Sequence, residues 1–273
     1  MKQYKLALIQ IDSGEDRAIN LEKIEQFFIK AYEEGVTLVA LPEVMNRMTS
    51  DRSIDTSEPL EGPTITFMKK CAVKYQFWIH CGSIREARAD GLPYNTTVLL
   101  SPEGEIKTIY RKLHLYDVDI PGKVKALESS RNSKGNEVVS VKTAIGHLGM
   151  TICYDLRFPE LFRLLALQGS EIIFVPANFA YATGEAHWES LLRARAIENS
   201  CYIIASAQTG QKSHFKAYGH SLVIDPWGSV IAEIEEGEGM KIVDIDLDKV
   251  SETRENLPSL KNRRDDVYDI IIK

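Results

Sequence analysis

The sequence is poor in cysteine: it has four, at positions 71, 81, 153 and 201, and no two of them form a C-x-x-C pair. This spacing argues against a zinc site or a redox dithiol, so each thiol is judged alone. Cys71, Cys81 and Cys201 read as small buried apolar residues, and His80-Cys81 is too isolated to be a ligand set. Long apolar runs are missing as well. No stretch approaches the roughly 20 residues a membrane-spanning helix needs. The opening MKQYKLALIQID is broken by Gln10 and Asp12, which leaves it too short for the apolar part of a signal peptide. The expectation is a cytoplasmic protein that touches no membrane. A basic block is also absent. Lys and Arg number 33 against 39 Asp and Glu, a net charge of −6, without the electrostatic footprint of a nucleic-acid binder. A small uncharged or anionic substrate, met in a local basic pocket, stays open.

What is present is alternation. KLALIQI (5–11) reads as a buried strand, and Ile24, Phe27, Phe28 and Ala31 then recur at helical spacing up to Gly35. TLVAL (37–41) is a second strand, ending at Pro42-Glu43, and Pro63 opens a helix to about Tyr75. FWIHCGSI (77–84), TTVLL (96–100) and EIKTIYRK (105–112) read as strands, the last two joined by a Pro-Glu-Gly turn. From Tyr116 to Asn136 the pattern lapses into a loop. EVVSVK and IGHLGMTIC then form a hairpin, and Pro159 opens a helix. EIIFVPA, the helix HWESLLRARAIENS, CYIIASAQ, HSLVID, VIAEIE and KIVDIDL complete the sheet material. A short polar helix and an extended tail (258–273) close the chain. Helices interspersed with many strands imply an α/β layered fold with mixed sheets in one domain, 1–273.

Three side chains stand where chemistry is expected. Cys153 lies where an apolar strand stops and a Pro-opened helix follows, a turn that exposes one side chain and aims backbone N–H groups at it. Its bland alternative is a buried strand cysteine. Glu43 ends the strand TLVALPE, on the side of a layered sheet where ligands bind; it could instead be an exposed loop charge. Lys112 ends another strand, where an ammonium could lower a thiol pKa or hold an oxyanion, although paired basic residues are usually solvated.

LPEVMN, YRKLHLYDVDIPG and TICYDLRFPE, in that order, resemble the nitrilase (carbon–nitrogen hydrolase) superfamily, and the likeness runs almost end to end, through GEAHWESLLRARAIENSCYIIASAQ, YGHSLVIDPWG and NLPSLKNRRDDVYD. The resemblance implies a four-layer α-β-β-α sandwich that pairs into homodimers or larger assemblies. It carries the family's catalytic Glu, Lys and Cys to Glu43, Lys112 and Cys153, and a second, lysine-orienting glutamate to Glu128. Within the superfamily the chain looks most like the amidase branch of deaminated-glutathione amidases and ω-amidases.

The resemblance also implies a mechanism. Glu43 takes the thiol proton as Cys153 attacks an amide carbonyl, and Lys112 and the Tyr154 N–H hold the oxyanion. Ammonia leaves, and water cleaves the resulting thioester. No metal or organic cofactor is called for. The substrate is expected to be deaminated glutathione or a related 2-oxo acid amide, with ω-amides, N-carbamoyl compounds or nitriles as alternatives and an inactive binding relative as the non-enzyme reading. Arg47 and Arg157 are candidates for a substrate carboxylate, and Asp155 with Arg157 could instead brace the nucleophile turn. His114, His147, His187 and His220 invite a Cys-His reading, but His187 reads as structural. Arg193, Arg195 and Glu198 read as a solvated or dimer-facing surface, and Trp227 as a packed turn aromatic.

Overall fold

The computed structural model describes residues 1–51, 53–122 and 124–273. In chain order the first half carries β1 (Gln3–Gln10), α1 (Arg17–Glu33), β2 (Leu38–Ala40), α2 (Pro63–Tyr75), β3 (Trp78–His80), β4 (Ile84–Glu86), β5 (Tyr94–Leu100), β6 (Ile106–Arg111), β7 (Asp117–Ile120) and β8 (Val124–Leu127). The second half carries β9 (Ser140–Thr143), β10 (Gly146–Met150), α3 (Pro159–Leu167), β11 (Ile172–Phe174), α4 (Tyr181–Asn199), β12 (Tyr202–Ala205), β13 (Ser221–Ile224), β14 (Val230–Ile234), β15 (Gly239–Asp246) and α5 (Asp248–Asn256). Two 3-10 turns, Glu128–Ser130 and Cys153–Arg157, complete the order.

A seven-stranded sheet runs β15-β1-β2-β3-β5-β4, with β6 also on β5, and a six-stranded sheet runs β14-β13-β12-β11-β10-β9. Side chains on a strand alternate between faces, and here both faces are apolar. Leu6, Leu8, Leu38 and Ala40 point to the second sheet, where they share one core with Leu148, Phe174, Ile203 and Leu222; α3 and α4 add Leu161, Trp188 and Leu192 to it. Ala7, Ile9, Val39 and Leu41 point the other way, onto Ile24 and Phe28 of α1 and Ile65 and Met68 of α2. The layers are therefore helix, sheet, sheet, helix, as the resemblance implied.

Three details differ from the reading of the sequence. The segment 116–136 is not simply a loop, because β7 and β8 pair antiparallel from Asp117↔Leu127 to Ile120↔Val124 and lead into the Glu128 turn. Lys123 lies outside the described residues. Helix α4 starts at Tyr181 rather than His187, and Gly184 sits inside it because a Cβ there would stand 2.3 Å from the Tyr218 ring. Trp227 is not packed. It is 65% exposed on the turn between β13 and β14, where Asp225 Oδ1 accepts from the Trp227 and Ser229 N–H groups, and Ile197 at 45% and Val230 at 36% are exposed with it. Among the described residues no helix is long and apolar enough to cross a membrane.

Candidate active site

Three strands deliver their next residues to one buried point. The chain leaving β2 passes through Leu41-Pro42 to Glu43, which is buried. Gly82 (φ +55°) makes this possible, since a Cβ there would meet the Pro42 carbonyl oxygen at 1.9 Å; the turn after β3 lies directly against the Glu43 segment. Val44 takes φ +51°, its N–H held by Ser83 Oγ at 2.9 Å, and Gln208 Nε2 donates to the Glu43 carbonyl at 3.0 Å. Lys112 follows β6, its N–H bonded to the Asn95 carbonyl of β5 at 2.9 Å and its side chain buried. Cys153 opens the 3-10 turn after β10 with φ +48°, its N–H on the Pro176 carbonyl at 2.9 Å. A left-handed conformation costs a non-glycine residue about 1–3 kcal/mol, and here it turns the sulfur out of the strand.

The charged groups form one cluster. Lys112 Nζ lies 3.0 Å from Glu43 Oε1 and 3.0 Å from Glu128 Oε2. Glu128 Oε2 also accepts the Tyr116 N–H at 2.7 Å, and its Oε1 the Asn132 amide at 3.1 Å. Glu43 Oε1 accepts from Asn95 Nδ2 at 2.8 Å and its Oε2 from the Asn178 N–H at 2.7 Å. The Cys153 turn lies against the same segment, because the Cys153 N–H bonds the Pro176 carbonyl two residues before the Asn178 N–H that holds Glu43 Oε2. Burial opposes the Lys112 charge, but Glu128 and Glu43 outweigh it and hold the ammonium well above the usual lysine range. Burial would also raise the Glu128 carboxyl; Lys112 and the Tyr116 N–H overcome that and keep it below the usual carboxylate range. Burial, then Glu43, pushes the Cys153 thiol up, against the pull of Lys112. Two carboxylates around one ammonium leave the cluster net negative, which favours the protonated form of the resting sulfur.

A second set of groups holds this geometry. Asp155, fully buried, accepts from the Tyr110 hydroxyl at 2.7 Å, the His114 N–H at 3.1 Å and the Ile152 N–H at 2.8 Å, and pairs with His114 Nδ1 at 2.7 Å. One carboxylate thus fastens the nucleophile turn to the chain on both sides of Lys112. Arg195 corrects the surface reading of its helix. It is buried, with Nε and Nη2 on the Leu156 carbonyl at 3.1 and 2.9 Å and Nη1 on Glu198 at 2.9 Å. The polar residue falls on the buried side of α4 because the turn it supports carries an otherwise unpaired carbonyl there.

The remaining residues sort by position. Tyr154 follows Cys153 in the 3-10 turn, and its ring meets Tyr116 and Phe158 edge-on at 5.0 and 5.5 Å. Arg157 is not part of the brace. Its guanidinium lies over the Phe179 and Tyr154 rings at 5.2 and 5.8 Å and meets His187 Nδ1 at 3.3 Å, with no carboxylate partner among the described residues. Arg47 turns to the Glu15 carbonyl at 2.9 Å, in a surface hollow shared with Asp16 and Arg17. The histidines are engaged elsewhere, His114 with Asp155, His147 with Ser140, His187 with Arg157 and His220 with Glu233. Cys71, Cys81 and Cys201 are buried as expected. The reading of the sequence missed Asn95, Asn178 and Gln208, whose only sequence signal is a polar residue inside or just after an apolar strand.

Comparison with known proteins identifies the family and agrees with the fold. A family described as carbon-nitrogen hydrolase matches residues 5–255. The chain is 40% identical to a deaminated glutathione amidase of Dictyostelium discoideum, over 98% of this chain and 97% of that one. It is 39% identical to the human deaminated glutathione amidase, over 96% and 83%. Among solved structures, the NitFhit protein of Caenorhabditis elegans superposes with a TM-score of 0.94 at 36% identity, over 100% of this chain and 68% of that one. Saccharomyces cerevisiae Nit3, a member of branch 10 of the nitrilase superfamily, superposes at 0.86 with 31% identity, over 96% and 97%.

Proposed function

The chain belongs to the carbon–nitrogen hydrolase family, and on that premise we propose that it is an amidase in which Cys153, Glu43 and Lys112 carry the reaction and deaminated glutathione, or a related 2-oxo acid amide, is the substrate. The observation that carries this reading is the single buried cluster in which Lys112 Nζ lies 3.0 Å from Glu43 Oε1 while the Cys153 turn bonds the Pro176 carbonyl, two residues before the Asn178 N–H that holds Glu43 Oε2.

As the sulfur attacks the amide carbon, its proton passes to Glu43, and the carbonyl oxygen takes up negative charge between Lys112 Nζ and the Tyr154 N–H. Collapse breaks the C–N bond while Glu43 returns the proton to the leaving nitrogen, giving a thioester and a free amine. In deaminated glutathione that nitrogen carries cysteinylglycine, so a peptide amine departs; ammonia departs only from a primary amide. Water, deprotonated by Glu43, then attacks the thioester, and the sulfur leaves with the proton. Glu128 holds Lys112 in place throughout. Arg157, the last residue of the nucleophile turn and unpaired by any carboxylate among the described residues, is the side chain suited to the substrate's carboxylate.

The chain acts as one domain in the cytoplasm and pairs with a second copy; the exposed Trp227, Ile197 and Val230 support the pairing. The test of the reading is mass spectrometry of the purified protein with deaminated glutathione, α-ketoglutaramate and α-ketosuccinamate. The acyl group should be trapped on Cys153 and deaminated glutathione turned over fastest. Full turnover by Cys153→Ala would end the reading.

A further inference from the structure

Asn95 stands on β5, almost fully buried, directly behind the cluster. Its amide nitrogen donates to Glu43 Oε1 at 2.8 Å and approaches Glu128 Oε1 at 3.5 Å. With two carboxylates in front of it, the side chain can face them only through its NH2 group. Its Oδ1 is thereby turned into the protein, where it is buried without a hydrogen-bond partner. An orphaned carbonyl oxygen is costly, and native proteins keep few of them. An asparagine that only filled space would be better replaced by an isosteric leucine.

We propose that Asn95 is a positioning residue that pins Glu43 Oε1, so that Oε2 stays turned to the Cys153 thiol and is reserved for proton transfer. The inference rests on the reading of Glu43 as the proton carrier. The division of labour between the two oxygens follows from their partners. The Asn178 N–H donates to Oε2 at 2.7 Å, and the Cys153 N–H bonds the Pro176 carbonyl two residues earlier at 2.9 Å, which puts Oε2 on the side of the Cys153 turn. Oε1 has Lys112 Nζ as its other donor, but Lys112 is shared with Glu128 and must also meet the oxyanion as charge develops. A neutral amide makes no such second commitment. When the ammonium leans toward the substrate, Asn95 keeps the carboxylate from rotating about its last bond, a torsion that is otherwise broad and two-fold.

The groups that face Glu43 are Asn95 from β5, Lys112 after β6, Glu128 in its 3-10 turn, Cys153 after β10 and the Asn178 N–H after β11. Apart from the reacting thiol, Asn95 is the one neutral side-chain donor among them, so it can be removed without changing the charge of the set. The experiment compares pH–rate profiles of wild type, Asn95→Leu, Asn95→Asp and Glu43→Gln on the substrate turned over by wild type. Asn95→Leu should lower kcat roughly 100-fold, the scale of a misplaced reacting group, with KM within about threefold. Its acid limb of kcat/KM should move up by about one pH unit, because the ionised Glu43 has lost a donor. Asn95→Asp, nearly the same shape, should move the limb further by adding an anion, and it carries the test if the leucine variant does not fold. A merely structural asparagine would lower the whole profile and leave the limb where it was. An unmoved limb in the folded variants, or a kcat within threefold of wild type, overturns the proposal. Glu43→Gln separates the two failures: if it is inert while the limb stays put, only the role of Asn95 falls, and if it turns over like wild type, the reading of Glu43 falls first.

Discussion

Glu128 Oε2 lies 3.0 Å from Lys112 Nζ and 2.7 Å from the Tyr116 N–H, so the glutamate that steadies the lysine is itself anchored to the backbone beside the β7–β8 hairpin. The ammonium is thereby held between two carboxylates that come from opposite ends of the first half of the chain. Its charge persists at working pH because those two anions outweigh the penalty of burial.

Removing that charge should be felt mainly at the transition state. Lys112→Ala is expected to lower kcat by about 10²–10³-fold, the cost of losing one oxyanion donor. Steady-state kinetics on the preferred amide checks it; a variant within tenfold of wild type would take Lys112 out of the chemistry.

Glu128 also links stability to pH. Its folded carboxyl titrates below the usual carboxylate range, so its stabilising contribution is complete above about pH 4.3, the unfolded value. That contribution is lost as pH falls through the depressed folded value. Urea midpoints of wild type and Glu128→Gln should differ by a constant amount from pH 5 to 8 and converge below about pH 4. A gap that persists unchanged at pH 3 would contradict the assignment.

Asp155→Asn keeps the shape of a fully buried side chain that accepts from two backbone N–H groups, the Tyr110 hydroxyl and His114. Turning one acceptor into an NH2 group leaves at least one buried donor unpaired, a loss of roughly 3 kcal/mol. Thermal unfolding should shift down by about 5 °C or more, with turnover falling alongside because the cysteine and lysine segments lose their common fastening.

Alkylation should distinguish the thiols. Cys153 is 8% exposed, whereas Cys71, Cys81 and Cys201 are 2%, 1% and 0% exposed. Burial raises all of these thiols, Cys153 included, so the distinction rests on access to the sulfur and on Glu43 as a base beside it. Peptide mapping after brief iodoacetamide treatment of the native protein should find the label at Cys153, and labelling spread evenly over the four would sink the expectation.

Arg157→Met should raise KM for an anionic 2-oxo acid amide by about tenfold or more, as expected for a lost charged hydrogen bond. It should leave kcat and the hydrolysis of a neutral amide nearly unchanged. Equal losses on both substrates would assign the guanidinium to packing over Phe179 and Tyr154 instead.

How much of this was legible follows from where each signal lives. Glu43, Lys112 and Cys153 each sit just past an apolar strand, and that local pattern made them candidates before any coordinates. The two-sided apolar strands likewise announced buried sheets. Asp155 is legible as a brace because it sits two residues past Cys153, whereas Asn95 and Arg195 act through partners distant in sequence and read as ordinary polar residues of a strand and a helix. β7 and β8 escaped because strands of four residues outside the two main sheets have no apolar face to betray them. Trp227 misled in the opposite direction, since an aromatic in a turn reads as packed until its surroundings are known.

The pairing of β15 with β1, in register from Gln3↔Asp246 to Gln10↔Gly239, has a consequence for biosynthesis. β1 keeps that edge open until the segment that forms β15 has been synthesised. A sheet closed by contacts so far apart along the chain has a high contact order, so folding should be slow, with the nascent edge prone to aggregate until residues 239–246 arrive.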